Sequence, residues 1–214
     1  MKVLSSIPTA LTALTALAAL AGCARAQSPD TAAAPADSAE ATSRRAAEPA
    51  HYGTLDQNAI SIRMRDDDIE LRFVPLDPRV TSLLVEDGAR ALQQLVERSR
   101  TAIDSAGREH GVSTPGLALV TFFGLRDGVR FDPQLLTVES SGRLLRPMAA
   151  VPLSASFGAG QLAALQSATA IYLYDEPLPV LEPFSVTYGL MTSSAWRDRL
   201  PILDRERARV NRSR

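Results

Sequence analysis

Apolar residues recur at every second position on both sides of three consecutive aspartates. Ile60, Ile62 and Met64 alternate with Ser61, Arg63 and Arg65, and Ile69, Leu71 and Phe73 alternate with Glu70 and Arg72. Side chains of a strand point to opposite faces in turn, so this period puts one face against a core and leaves the other charged. A parallel sheet covered on both faces reads instead as an unbroken apolar run, so the alternation predicts an antiparallel hairpin. Asp66, Asp67 and Asp68 lack the alternating ligand spacing and the glycine of a calcium loop, and are expected to form a solvated turn.

The elements that follow change period several times. Asp77-Pro78 combines a capping side chain with proline at the first helical position, and Val80, Leu83 and Leu84 give a short helix. Asp87-Gly88 is expected to interrupt it. A longer amphipathic helix is predicted over 89–105, with Leu92, Leu95, Val96, Ser99 and Ile103 on one stripe and Gly107 past its end. Leu117–Phe123 is long enough for one buried strand. Turns are expected at Asp127-Gly128 and Asp132-Pro133, and strands over 135–139 and 143–151, joined across Ser140-Ser141-Gly142. A helical turn over 161–167, strands over 170–174 and 184–190, and a last helix capped by Ser193 or Ser194 complete the reading. Pro201 is expected to break or restart that helix. The fold class is α+β: an antiparallel β-sandwich with an amphipathic helical pair near its start and a C-terminal helix. In strand spacing, the stretch from Leu117 to Leu190 resembles an immunoglobulin-type sandwich, without the cysteine and tryptophan landmarks of that family.

The stretch from Tyr52 onward, some 160 residues of the 214, is long enough to stand without staples. One cysteine allows no intramolecular disulfide. A formal net charge of −1 offers no polyanion footprint, so no nucleic-acid partner is expected. Lys2 is the only lysine, which removes lysine-based catalysis from the domain.

The start of the chain carries an address. Met1-Lys2 precedes a charge-free apolar run from Ile7 to Leu20, too short for a membrane span and suited to an export signal. The run closes on Leu20-Ala21-Gly22-Cys23, which resembles the lipobox of bacterial lipoproteins. That resemblance implies cleavage before Cys23, a diacylglycerol on its sulfur and a further acyl chain such as palmitate on its amine. Together these anchor the chain to the cell envelope, at the outer membrane where the host has one. A competing A-x-A site, Ala24-Arg25-Ala26, would release a soluble secreted or periplasmic protein beginning at Gln27. From Ala24 to about Ala50 the chain is Ala, Ser, Pro, Asp and Glu with almost no large apolar residue, the composition of a disordered tether. The expected organisation is a signal peptide over 1–22, a lipid-anchored tether over 23–51 and one β-rich domain over 52–214.

Candidate chemistry is sparse. His51 sits at the edge of the tether and His110 in a polar loop, and with the only thiol in the leader no His/Cys zinc site is expected. The candidate catalytic residues are His110, Asp175 and Glu182, with Glu176 beside them; no G-x-S-x-G elbow is present. Gly158 and Gly160 read as a loop rather than a phosphate cradle, and Trp196 as core. Arg207, Arg209, Arg212 and Arg214 could meet anionic headgroups or an acidic partner, while Glu206 could pair with Arg209 across one helical turn. The expected role is a non-enzymatic binding or assembly domain without cofactor, with the membrane and other envelope proteins as partners. The alternative is an exported hydrolase using carboxylates or a Ser/His pair.

Overall fold

The computed structural model describes residues 52–212. The alternating segments form strands β1 (Ile62–Arg65) and β2 (Ile69–Pro75), antiparallel, with Ile62 opposite Phe73 and Met64 opposite Leu71. All four of these residues are buried, while Arg63 and Arg65 face out. Within the aspartate run, Asp66 Oδ1 accepts from the Asp68 and Ile69 N–H groups, both at 2.8 Å, and Asp68 pairs with Arg126 at 3.0 Å. The acids therefore build the turn.

Asp77 caps helix α1 (Pro78–Thr81), accepting from the Arg79 N–H at 2.8 Å. Two longer helices follow, α2 (Glu86–Arg98) and α3 (Arg100–Glu109). Asp87-Gly88 does not interrupt: it lies in the first turn of α2, where carboxylates favour the positive end of the helix dipole. The single helix expected over 89–105 is divided at Ser99, whose N–H is shared between the Leu95 and Val96 carbonyls. Gly107 lies inside α3 and not past the helix end, and it is glycine where a Cβ would meet the Val112 carbonyl oxygen at 2.7 Å. Gly111, at φ +72°, turns the chain out of the helix.

Nine further strands follow: β3 (Gly116–Gly124), β4 (Val129–Arg130), β5 (Leu136–Ser140), β6 (Arg143–Leu145), β7 (Ala149–Pro152), β8 (Gln161–Leu162), β9 (Ser167–Tyr174), β10 (Ser185–Tyr188) and β11 (Met191–Ser193). Helix α4 (Ala155–Ala159) lies between β7 and β8, and α5 (Trp196–Arg212) ends the described chain. Every strand pairing is antiparallel. One sheet runs β1-β2-β3-β9-β7, a second β11-β10-β5-β6, and β4 pairs with β8. Rings meet between the two larger sheets, Phe122 of β3 with Tyr188 of β10 at 5.3 Å, and Phe73 of β2 meets Phe184, the residue before β10, at 6.3 Å. On the opposite face of β9, Ile171 and Leu173 are also fully buried, and α3 packs against β7. The class is thus α+β with antiparallel sheets, a helical pair near the start and a C-terminal helix.

Three departures are local. The strand expected over 143–151 is two strands in different sheets, parted at Pro147, which has no N–H to give to a ladder. No helical turn occupies 161–167. The helix comes earlier, as α4, and ends at Gly160 with φ +64°. Helix α5 passes through Pro201, although the Arg197 carbonyl there loses its N–H donor. Its buried stripe of Leu203, Glu206 and Val210 holds it to the domain beyond that point.

The segment before β1 is clamped at both sides. Gly53 N–H donates to the Ser82 carbonyl at 3.0 Å, and Leu55 forms a parallel bridge with Leu84. Gly53 is required because a Cβ would fall 1.8 Å from the Leu83 carbonyl oxygen. Thr54 N–H and Oγ1 both donate to Glu206 Oε1 of α5, at 2.5 and 2.9 Å.

Candidate functional site

Cys23 and its motif Leu20-Ala21-Gly22, the A-x-A site, His51 and Arg214 lie outside the described residues. His110 is the exposed residue that ends α3, and Asp175 is exposed just after β9. Neither lines a cleft with the other candidate acids. Glu176 and Glu182 do share one, a depression of about 210 Å³ also lined by Arg79, Arg143, Ser140 and Ser141. Arg143, Glu176 and Arg79 are ion-paired locally, while Glu182 is in no ion pair among the described residues. Arg143 is ion-paired with Glu176, which raises the Arg143 pKa first through that hydrogen bond, and Arg79 pairs with Asp77 at 2.6 Å. Ser140 Oγ donates to the Pro183 carbonyl at 2.8 Å. The structure thus brings Glu176 and Glu182 together with two arginines, and does not bring them to His110 or Asp175.

The arginines of α5 are also engaged. Arg207 pairs with Asp204 at 2.5 Å, and Arg209 donates to both oxygens of Glu206 at 2.7 and 3.0 Å, the pair expected from the sequence. Arg212 is exposed. Glu206 itself is 8% exposed, which its position among charged residues did not signal. The Arg209 hydrogen bond, followed by the two Thr54 donors, holds its carboxyl down to about 2.

A second cleft went unanticipated. It has a volume of about 330 Å³ and lies where the chain passes from β6 of one sheet to β7 of the other. Pro133, Gln134, Arg146, Met148, Ala150 and Tyr172 line it. Tyr172, on β9 opposite Ala150, is 1% exposed, and its hydroxyl is buried without a hydrogen-bond partner among the described residues. Burial pushes that hydroxyl well above the usual tyrosine range, and the nearby charges of Tyr174, Tyr188 and Asp132 add to this, so it stays protonated and remains a donor. Arg146 is exposed and makes no ion pair or hydrogen bond to another described residue. A sequence signal existed: Tyr172 and Tyr174 continue the buried alternation of Ala168 and Ala170, placing two hydroxyls on an otherwise apolar face.

Among the described residues no group of three or more His, Cys, Asp and Glu side chains is placed to hold a metal ion, and no helix is long and apolar enough to cross a membrane. Compared with protein-family models, curated proteins and solved structures, the chain matches none.

Proposed function

We propose that the chain is an exported, lipid-anchored envelope protein whose domain binds a ligand or assembles with other envelope proteins rather than catalysing a reaction. The observation that carries the address is Leu20-Ala21-Gly22-Cys23 closing the apolar run from Ile7. Two acyl chains and more, at about 0.8 kcal/mol per buried methylene, hold such a protein stably at a membrane, where a single chain does not. In a two-membrane envelope the destination is the outer membrane.

The binding role is supported by how the polar groups are used. Glu176 faces Arg143, and His110 and Asp175 stand apart from the cleft that Glu176 and Glu182 line. A hydrolase needs base and nucleophile within hydrogen-bond reach. We read the two larger sheets as the layers of a sandwich, on the ring contacts between them. The likeness proposed is to that layered architecture. The strand order, β1-β2-β3-β9-β7 and β11-β10-β5-β6, differs from the ABED and CFG sheets of an immunoglobulin domain.

Intact mass of the mature chain from membrane and soluble fractions tests the address. The expected result is a membrane-bound chain beginning at Cys23 with the added mass of its acyl groups. A soluble chain beginning at Gln27 would overturn the anchor and leave a freely exported domain.

A further inference from the structure

Two segments at the ends of the domain are held by few buried side chains. Over residues 52–59, just before β1, only Gly53 is buried. In α5 beyond Pro201 the buried residues are Leu203, Glu206 and Val210. Proline at 201 takes a donor out of the helical ladder, between the half anchored by Trp196 and the half beyond it. The two segments meet, because α5 packs against the 3₁₀ turn Gln57–Ile60. Successive N–H groups of the entry segment point to opposite sides, as in a strand. Those of Gly53 and Leu55 donate to the Ser82 and Leu83 carbonyls, at 3.0 and 3.1 Å, while that of Thr54 turns toward α5. Glu206 Oε1 receives it together with the Thr54 hydroxyl, and Arg209 donates to both carboxylate oxygens. A helix side chain thus stands where a neighbouring strand would offer its carbonyl, and its charge makes these bonds strong ones.

We infer that residues 52–59 and 202–212 form one latch, which opens as a unit while the sheets stay closed, with Glu206 as its catch. Cooperative units open below the cost of global unfolding where few buried apolar contacts hold them. Parting the two segments takes the acceptor from the Thr54 N–H and two donors from Glu206, so each holds the other in place. Opening frees the Ser82 and Leu83 carbonyls and the Val85 N–H, all bonded to the entry segment when it is closed. Those groups make a short edge able to pair with a strand of another chain. The inference is independent of how the chain is anchored and of what the domain binds.

The test is hydrogen–deuterium exchange of the purified full chain, read peptide by peptide in wild type and three variants. Val85→Pro removes the N–H that donates to the Leu55 carbonyl at 2.9 Å, at a residue whose φ of −56° suits proline, and it leaves α5 untouched. It should speed exchange over 53–59 and over 202–212 by the same factor, about 2- to 10-fold. Thr54→Val, which deprives Glu206 of one donor, should speed both segments by about 10- to 100-fold. Ile171→Val thins the core on β9 and should speed β3 and β9 about 2- to 10-fold, with both segments at wild-type rates. Acceleration of 53–59 alone in Val85→Pro overturns the latch, because the two segments would then open separately. So does acceleration of both segments along with the sheets in Ile171→Val, since they would open only when the whole domain unfolds. Unchanged rates over both segments in Thr54→Val would mean that Glu206 is no catch, and would overturn it as well.

Discussion

Glu206 carries a negative charge on the buried stripe of α5 and meets it with donors from two elements, Thr54 and Arg209. Its folded pKa of about 2 lies below the ordinary 4.5, so the charged form is the one the fold stabilises. That contribution is fully present above pH 4.5 and is lost as the pH falls from there toward 2. Glu206→Gln should cost about 1.5–3 kcal/mol at pH 7, the usual worth of hydrogen bonds to a charged group. Thermal melts at pH 7 and pH 3 check the sign: the gap between wild type and variant should narrow at the lower pH. A second residue-scale prediction concerns the β5–β6 hairpin, where Ser141 and Gly142 have φ of +52° and +76°. Two positive φ values define the turn that suits asparagine followed by glycine, because asparagine tolerates the left-handed region better than serine does. Ser141→Asn should therefore raise stability by about 0.5 kcal/mol, read as a shift of the urea midpoint.

Elements were legible where the signal was local and one-sided. The β1–β2 hairpin follows from period two flanking a run of acids, and α1 from Asp77-Pro78, since each is decided within a few residues. The division of 143–151 was not, because Leu144-Leu145 and Met148–Val151 both read as strand and only tertiary pairing assigns them to different sheets. Helix α4 was hidden by its own composition: Ser154, Ser156, Gly158 and Gly160 read as a loop, yet Gly160 is the left-handed residue that ends the helix. At the other end of the chain, α5 is docked by Trp196, fully buried, stacked on Phe184 at 4.8 Å and donating through Nε1 to the Val180 carbonyl at 3.3 Å. Trp196→Ala should cost about 3–5 kcal/mol by denaturant unfolding. Trp196→Phe should cost less, mainly the unmet carbonyl of Val180, about 1–3 kcal/mol.

For the molecule as a whole, the proposed address and the cleft rest on different kinds of signal. Cys23 stands out because a motif in the chain's linear order needs no fold to be read. On the proposed anchoring, replacing it with alanine should shift the chain from the membrane to the soluble fraction, as immunoblots of the two would register. The cleft at Tyr172 was invisible because its walls come from the β4–β5 connection, the β6–β7 crossing and β9, which only the folded chain gathers. The acids singled out in sequence were ambiguous for the converse reason: Glu176 meets its guanidinium, Arg143, from 33 residues away. The clamp around Gly53 bears on mechanics. Load applied at the N-terminal side of the domain enters through residues 53–55 and is divided between the Ser82–Leu84 segment and, through Thr54, helix α5. Residues 53–55 are thus tied to the helical side of the domain before the chain enters β1.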